Sequence, residues 1–335
     1  MLGQVTPPET LATRRVAVLA HMGRREAVVT AARLIEKLAA AGMVAVVPAA
    51  DVAVLTERLT DTAVVGFTAE QFAEHTDDVE LMLVLGGDGT ILRGAALVIT
   101  SDIPLLGVNL GHVGFLAEAE SSEIDSIVEH VVNRTYTVEE RFTIDVTLRE
   151  QNKIIWSSFA VNEVSIEKAA RERMLEIAVA VDDWPLSRWA CDGMLVATPT
   201  GSTAYAFSAG GPVLWPELDA LLLVPLSAHA LFSRPLVLGP TSVITVQLIH
   251  ASRTHGVVWC DGSRSIELQE GMEIEVGRGE HRLRLARLSQ SPFSNRLVHK
   301  FQLPVDGWRG SAERRMRHRA GTELASPRRP GGQDW

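Results

Sequence analysis

The sequence predicts an α/β domain followed by a β-rich domain, and changes in its hydrophobic pattern carry this prediction. Its 335 residues are enough for two domains of ordinary size. In the first third, short apolar runs alternate with a segment of helical spacing, which is typical of a parallel sheet covered by helices. From about Tyr136 the pattern changes to many short runs of period two, which indicates a second, β-rich domain.

The first domain begins with a strand–helix–strand pattern. Residues 15–20 predict a strand, residues 26–41 carry apolar side chains at helical spacing, and residues 43–47 predict the next strand. The runs 80–85 and 103–109 are apolar on both parities, as in strands that helices cover on both faces. We therefore expect a Rossmann-like parallel sheet in a domain spanning 14–135.

The second domain is predicted from seven period-two runs separated by turn residues. These runs lie at 142–148, 153–159, 175–181, 242–248, 256–259, 265–268 and 282–288. They predict a sandwich-like domain over 136–290. After Pro292, residues 293–301 predict a short helix in a C-terminal segment, 291–310, which is expected to return to the first domain.

Composition and charge exclude several classes of protein. The formal net charge of −9 and the isoelectric point of about 5.6 argue against a broad phosphate-neutralising face, so we expect no specific nucleic acid partner. No apolar run is long enough to span a membrane, and no signal layout begins the chain, so we expect no membrane association. Cys191 and Cys260 fit no metal-binding spacing and indicate buried thiols in the cytoplasm.

Both ends of the chain are predicted to be disordered. Residues 1–13 precede the first strand pattern, and residues 311–335 have few apolar side chains. Seven arginines against three acidic residues make the stretch 309–335 basic, so this tail is expected to bind polyanions weakly at most.

The strongest local motif is Gly-Gly-Asp-Gly-Thr at 86–90, between the buried run 80–85 and a helix-like segment, 90–96. This position is the C-terminal edge of a parallel sheet, where open α/β sheets bind ligands. Glycines let the backbone approach a phosphate, and the following helix N-terminus attracts it. A carboxylate would repel that phosphate, so Asp88 is predicted to accept a proton from a hydroxyl or to hold a metal. A glycine turn with an aspartate bonded to its own backbone explains the motif equally well.

Two further segments carry polar side chains between apolar runs. Residues 198–205, Thr-Pro-Thr-Gly-Ser-Thr-Ala-Tyr, offer many short hydrogen-bonding groups for a polar ligand. Asn162 and Glu163 interrupt a β-like run, 159–166, and adjacent strand residues face opposite ways. Both therefore reach one ligand only if the strand bends or ends there; an exposed polar pair is the alternative. P-loop, protein-kinase and zinc-protease motifs are absent from the sequence.

Together these segments resemble the bacterial NAD kinases of the polyphosphate/ATP-dependent kind, over about residues 15–308. The shared segments are GGDGT (86–90), NLGHVGFLAE (109–118), NE (162–163), CDGMLVATPTGSTAYAFSAGGP (191–212), AHALFSRP (228–235) and CDG (260–262). GGDGT alone also occurs in lipid kinases, whereas the combination of NE with TPTGSTAY is far more specific.

The resemblance implies transfer of a terminal phosphoryl group from ATP and/or inorganic polyphosphate to the 2′-hydroxyl of the adenosine ribose of NAD, giving NADP. Asp88 would be the proton acceptor. The loop facing the phosphates would comprise Gly86, Gly87, Gly89 and Thr90. Arg93, in the helix that follows, is either a further phosphate contact or a solvated helix arginine. A divalent metal ion, Mg²⁺, would be held mainly by the donor phosphates, with no metal site made by the protein itself.

The resemblance also implies a set of residues that bind NAD. They are Asn162, Glu163, Asp192, Thr203, Ala204, Tyr205 and Ser208. Asp192 is expected to reach NAD that is bound largely by a neighbouring subunit, which requires a homodimer or homotetramer.

Two positions depart from the family pattern, and two other functions remain open. His112 stands where many members carry Arg or Lys, and Ser263 stands where Gln is frequent, so donor preference or affinity is expected to differ if these side chains touch ligand. One alternative is a non-catalytic NAD(P)-binding sensor. The other is a GGDGT-type lipid kinase, which should expose an apolar patch for membrane approach.

Overall fold

The computed structural model describes residues 14–111, 114–169, 173–249, 255–289 and 291–305. The two ends for which we predict disorder, 1–13 and 311–335, lie outside the described residues, and so does His112. The chain divides into two compact units, Met1–Gln290 and Ser291–Trp335.

Among the described residues, the first unit contains six α-helices and twenty β-strands. The helices are α1 (Arg25–Ala40), α2 (Val52–Thr56), α3 (Ala69–Glu74), α4 (Asp88–Val98), α5 (Ile124–Asn133) and α6 (Tyr205–Ser208). The strands are β1 (Arg15–Ala20), β2 (Val44–Pro48), β3 (Val65–Phe67), β4 (Val79–Leu85), β5 (Leu105–Asn109), β6 (Ala117–Glu120), β7 (Thr137–Arg141), β8 (Ile144–Glu150), β9 (Lys153–Ala160), β10 (Glu163–Lys168), β11 (Leu175–Val181), β12 (Trp184–Cys191), β13 (Gly193–Ala197), β14 (Leu221–Leu226), β15 (Leu236–Leu238), β16 (Ile244–Leu248), β17 (Gly256–Cys260), β18 (Arg264–Leu268), β19 (Met272–Arg278) and β20 (Leu283–Arg287).

The first sheet has the order β3-β2-β1-β4-β5-β20-β7, with β6 paired to β5. Its strands run parallel except β7, which is antiparallel to β20. β4 is buried along nearly its whole length because α1 covers one face of the sheet and α4 covers the other. The α/β prediction is confirmed, and α1 begins and ends within one residue of the predicted helix.

Two strands that the change of period placed in the second domain belong to this first sheet. β7 follows the predicted boundary near Tyr136, and β20 lies in the period-two run 282–288, yet they pair with each other, and β20 pairs with β5. Alternation of apolar and polar side chains indicates that a strand has one buried face. It does not indicate which sheet that strand joins. The elements β3, α3 and β6 were not predicted, because their runs are too short or too polar to stand out from loops, and the ten-residue helix α5 was missed although its apolar residues have helical spacing.

The second domain is a sandwich of two antiparallel six-stranded sheets, as predicted. One sheet has the order β15-β14-β13-β10-β17-β18, and the other has the order β12-β11-β16-β19-β8-β9. Inward-facing side chains of both sheets form one core, to which Cys191 and Cys260 contribute as free, buried thiols. β10 turns Val164 and Ile166 into this core, so Glu163 lies on the outer face of its sheet.

The second unit contains one described helix, α7 (Phe293–Phe301), at the predicted position. It begins after Pro292 and ends where Gln302 takes a left-handed conformation with φ of 51°. Among the described residues, no helix combines the length and the hydropathy that a membrane-spanning segment requires.

Candidate active site

The Gly-Gly-Asp-Gly-Thr motif forms the corner between β4 and α4 at the C-terminal edge of the parallel sheet. Thr90 N–H donates to the carbonyl of Gly87 at 2.9 Å, which closes the first turn of α4. A Cβ on Gly86 would lie 2.5 Å from Thr90 Oγ1, so this glycine lets the buried Thr90 fold over the corner. A Cβ on Gly87 or Gly89 would meet open space, which leaves their backbone accessible to a ligand.

Asp88 is the first residue of α4, and the loop after β5 holds its carboxylate. Oδ2 accepts a hydrogen bond from Phe115 N–H at 3.3 Å, and Oδ1 accepts one from Leu116 N–H at 3.3 Å. A Cβ on Gly114 would lie 2.3 Å from Oδ1, so glycine is required for this loop to approach the carboxylate. Thus Asp88 is half-buried and oriented by a neighbouring loop rather than by its own turn.

Arg93 lies one turn further along α4 and reaches the end of β1. Its Nη2 donates to the carbonyl of Ala20 at 3.0 Å. Burial raises the pKa of Asp51, and the nearby Arg93 guanidinium opposes that rise. Arg93 therefore lies at the same sheet edge as the glycine-rich corner.

The Asn-Glu pair and the Thr-Pro-Thr-Gly turn are in direct contact. Thr198 N–H donates to the carbonyl of Asn162 at 2.8 Å, and Thr198 Oγ1 donates to the carbonyl of Val161 at 2.6 Å. A Cβ on Gly201 would lie 2.0 Å from the carbonyl oxygen of Asn162, so the two turns pack backbone against backbone. β10 begins at Glu163, so one end of a strand lies at the Asn-Glu pair. This is the condition under which both side chains can reach one ligand.

The sequence pattern did not predict the role of Asp261. Its buried carboxylate accepts hydrogen bonds from Asn162 N–H at 2.8 Å and from Val161 N–H at 3.0 Å. Arg264 Nη2 pairs with it at 2.9 Å, and that guanidinium stacks 4.0 Å over the ring of Phe159. The Asp-Gly dipeptide at this position predicts a hairpin turn, which β17 and β18 form. It does not indicate that the aspartate accepts hydrogen bonds from backbone N–H groups far away in the sequence.

Glu163 is a half-buried residue whose carboxyl pKa lies outside its usual range. Burial raises its pKa to about 7, the neighbouring Asp261 carboxylate adds to the rise, and a hydrogen bond from Tyr205 N–H opposes it. Within the described part of the chain, its Oε2 is buried without a hydrogen-bond partner. An unpartnered buried oxygen of this kind is available to a donor group of a ligand.

The raised pKa of Glu163 predicts how the stability of the protein depends on pH. Because the pKa rises from 4.5 to about 7 on folding, the folded protein keeps a proton that the unfolded chain has released between these values. The free energy of unfolding therefore falls as pH rises through this window, and Glu163→Gln abolishes this contribution. We expect the stability of the Gln variant relative to wild type to increase by about 3 kcal/mol between about pH 4 and about pH 8 in urea unfolding.

Glu150→Gln is the matched control for that measurement. Glu150 is exposed at the end of β8, away from the two turns, and its variant should follow the wild-type pH profile. Identical pH slopes for Glu163→Gln and wild type would show that Glu163 does not retain its proton in the folded state.

The remaining predicted NAD-binding residues follow the Thr-Pro-Thr-Gly turn. Thr203 Oγ1 donates to the carbonyl of Thr200 at 3.2 Å, and Ala204 N–H donates to the carbonyl of Gly201 at 2.9 Å. Ser208 lies exposed at the end of α6.

Tyr205 connects this segment to three carboxylates. Burial raises the pKa of Tyr205, and Glu167, Glu163 and Asp192 raise it further. Asp192 forms an ion pair with Lys168 Nζ at 2.5 Å, and Lys168 lowers the pKa of Asp192. Asp192 thus lies within electrostatic range of Tyr205 of its own chain.

One buried cluster brings the two halves of the site together. Val161, directly before Asn162, belongs to the same cluster as Ile91 of α4 and Leu116 of the loop that holds Asp88. The polar turns of the sandwich domain therefore adjoin the glycine-rich corner of the parallel sheet. A fixed carboxylate at a glycine-rich corner, beside polar turns, is the arrangement that a kinase acting on a hydroxyl group of a small molecule would use.

Comparison with known proteins identifies the family. Residues 16–136 match the ATP-NAD kinase N-terminal domain, and residues 161–288 match the ATP-NAD kinase C-terminal domain. The chain therefore belongs to the NAD kinase family. Neither alternative, a non-catalytic sensor or a lipid kinase, is supported by these matches.

Bacterial relatives support this assignment along most of the chain. The NAD kinase of Cutibacterium acnes is 48% identical over 307 residues, covering 91% of this chain and 95% of the relative. NAD kinase 2 of Streptomyces avermitilis is 49% identical over 298 residues, covering 89% of this chain and 97% of the relative.

Solved structures share the fold. A yeast NADH kinase complexed with NADH superposes with a TM-score of 0.80 at 20% identity, covering 90% of this chain and 94% of that chain. An NAD kinase from Archaeoglobus fulgidus in complex with ATP gives a TM-score of 0.62 at 25% identity, covering 86% and 98%.

Proposed function

We propose that this enzyme transfers the terminal phosphoryl group of ATP or inorganic polyphosphate to the 2′-hydroxyl of the adenosine ribose of NAD, giving NADP. The observation that carries the proposal is the Asp88 carboxylate, which Phe115 and Leu116 hold at the sheet edge beside the Asn162 turn. A ribose hydroxyl is a poor nucleophile, so a positioned proton acceptor is the group that this reaction needs from the protein.

The proposed step is a single displacement at phosphorus. Asp88 accepts the proton of the 2′-hydroxyl as the ribose oxygen forms its bond to the terminal phosphorus. The bond between that phosphorus and the bridging oxygen of the donor breaks, and ADP or the shortened polyphosphate leaves with the electron pair. Such a base contributes a factor of ~10² to 10⁴ to the rate, and the glycine-rich corner aligns the donor phosphates.

NAD is proposed to lie along the polar turns of the sandwich domain. The free Oε2 of Glu163 would accept a hydrogen bond from a nucleoside hydroxyl, and Asn162 would use its side-chain amide. Thr203, Ala204, Tyr205 and Ser208 would line the remainder of the dinucleotide cleft.

A divalent metal ion, Mg²⁺, is proposed to accompany the donor. When bound, it neutralises charge on the donor phosphates. Across the described residues, no group of three or more His, Cys, Asp or Glu side chains is arranged to hold a metal ion. We propose that phosphate oxygens of the donor coordinate this ion, with Asp88 as the nearest carboxylate of the protein.

The assay that tests this function uses purified protein, Mg²⁺ and NAD, with ATP or polyphosphate supplied separately, and measures NADP enzymatically. We expect NADP with at least one donor. Tight NAD binding with no NADP from either donor would instead identify a binding protein without turnover.

We propose a homodimer or homotetramer working in the cytoplasm. Large apolar side chains are exposed on the segments that follow the NAD-binding turn, namely Trp215, Leu218, Leu231 and Phe232, as on self-association surfaces. Free buried thiols at Cys191 and Cys260 suit a reducing compartment.

Asp192 is proposed to contact NAD held largely by a neighbouring subunit. Its carboxylate is 45% exposed and is oriented by Lys168. We expect Asp192→Ala to weaken NAD binding about tenfold, measured by titration calorimetry, because a charge-assisted hydrogen bond is lost. The exposed Glu150→Ala variant is the control. A fully active monomer in light scattering would remove the contribution from a neighbouring subunit.

A further inference from the structure

The turn between β1 and α1 lies beside the glycine-rich corner. β1 and β4 are adjacent and parallel, with Ala20 opposite Leu85. His21 N–H donates to the carbonyl of Leu85 at 3.0 Å, and Arg24 N–H donates to the carbonyl of His21 at 2.9 Å. Residues 21–25, comprising this turn and the first residue of α1, therefore run alongside Gly86, the residue that follows Leu85, and we call them the basic turn.

These two turns lie at the point where their helices, α1 and α4, leave the sheet on opposite faces, and we call the region between the turns the crevice. α1 packs with Val18 and Leu83 on one face, and α4 packs with Leu19 and Val84 on the other. At such a switch point in an open parallel sheet, ligands bind beyond the carboxyl ends of the strands. Arg93 bonds to the Ala20 carbonyl at 3.0 Å, so its guanidinium extends from α4 to the β1 side of the crevice.

The basic turn carries exposed side chains, two of them arginines, that are available to an anion. His21, Arg24 and Arg25 are exposed, and none of them forms an ion pair within the described ranges of the chain. The carboxylates nearby are Asp88 itself, Glu26 in the first turn of α1, and Asp51, which faces Arg93. Arginine guanidinium groups suit phosphate oxygens because they donate two parallel hydrogen bonds.

We infer that the basic turn and Arg93 bind the part of the phosphate donor that lies beyond the transferred group, and that Arg24 determines how well inorganic polyphosphate serves as donor. This inference rests on the proposed function. Polyphosphate has no base or ribose to bind, so its affinity depends on charge alone, whereas ATP also gains contacts through adenosine. A longer anionic chain requires positively charged side chains that continue outward from the glycine-rich corner.

Arg24→Glu tests the inference in the full-length enzyme. We expect the KM for polyphosphate to rise about tenfold or more, the KM for ATP to rise less than about threefold, and the KM for NAD to stay unchanged. Titration of tetrapolyphosphate in the absence of NAD should show the same loss of affinity without any turnover. The control is Arg278→Glu, which reverses an exposed charge on β19 in the sandwich domain. Equal melting temperatures would show that both variants fold.

The outcomes separate the inference from the function on which it rests. Equal effects of Arg24→Glu on both donors, or no effect on polyphosphate KM and tetrapolyphosphate binding, would overturn the inference. Wild-type protein that forms NADP from ATP but neither uses nor binds polyphosphate would also overturn it, while leaving the ATP reaction intact. Absence of NADP with every donor would instead refute the proposed function, and tetrapolyphosphate binding would still test the basic turn.

Discussion

We expect Asp88→Asn to lower kcat by ~10² or more while NAD affinity changes little. The amide has the size of the carboxylate but cannot accept the proton of the ribose hydroxyl. Loss of this proton acceptor raises the free energy of the transition state, in which the proton moves, and changes that of the bound ground state little. The measurement is steady-state NADP formation together with NAD titration on the same preparation.

A structural effect of the same substitution must be separated from the chemical one. Phe115 N–H and Leu116 N–H each donate to one oxygen of Asp88, and an asparagine can offer an oxygen to only one of them. A lost hydrogen bond of this kind costs about 1 kcal/mol, which thermal unfolding would register. Asp61→Asn is the control, because Asp61 is exposed with φ of 52°, a conformation that asparagine tolerates. Turnover of Asp88→Asn near the wild-type rate would refute the role of Asp88 as proton acceptor.

Gly201→Ala is expected to have the second large effect. The added Cβ would lie 2.0 Å from the carbonyl oxygen of Asn162, and that backbone is itself fixed by Asp261 and Thr198. Because no flexible side chain can yield, the two turns must separate. We expect about 1 to 3 kcal/mol of lost stability and a fall in kcat/KM for NAD of about 10², as for a binding group displaced by roughly 1 Å.

Gly239→Ala is the matched control for this glycine. A Cβ there would meet only Ser242 Oγ at 3.9 Å, so both stability and kinetics should stay near wild type. If Gly201→Ala bound NAD and turned over as wild type does, the contact between the two turns would not be what organises the dinucleotide cleft.

Local patterns in the sequence predicted much of the fold and the motifs of the site. The doubly apolar run that became β4, followed at once by glycines, predicted a corner at the carboxyl edge of a parallel sheet, and α4 begins there at Asp88. The period-two runs predicted a sandwich, which the two antiparallel sheets confirm. These predictions succeed because helix and strand periods are properties of consecutive residues.

Such local patterns could not predict contacts between segments that are distant in the sequence. Asp88 is held by Phe115, which lies 27 residues away, and Asn162 is held by Asp261, which lies 99 residues away. Neither pairing leaves a signature in either segment, since a hydrogen bond from a backbone N–H places no demand on the donor's residue type. The same limit explains why β20 joins the first sheet although its sequence resembles the strands of the second domain.

The amino-acid sequence alone determined the two-domain plan, the family resemblance and the identity of the motif residues, because these depend on residue type and spacing. Only the tertiary structure decided what orients Asp88, which backbone groups fix the Asn162 turn, and which cationic side chains border the glycine-rich corner. Those features arise when strands far apart in the chain become neighbours, and the packing of the whole core, rather than any short segment, selects which strands do so.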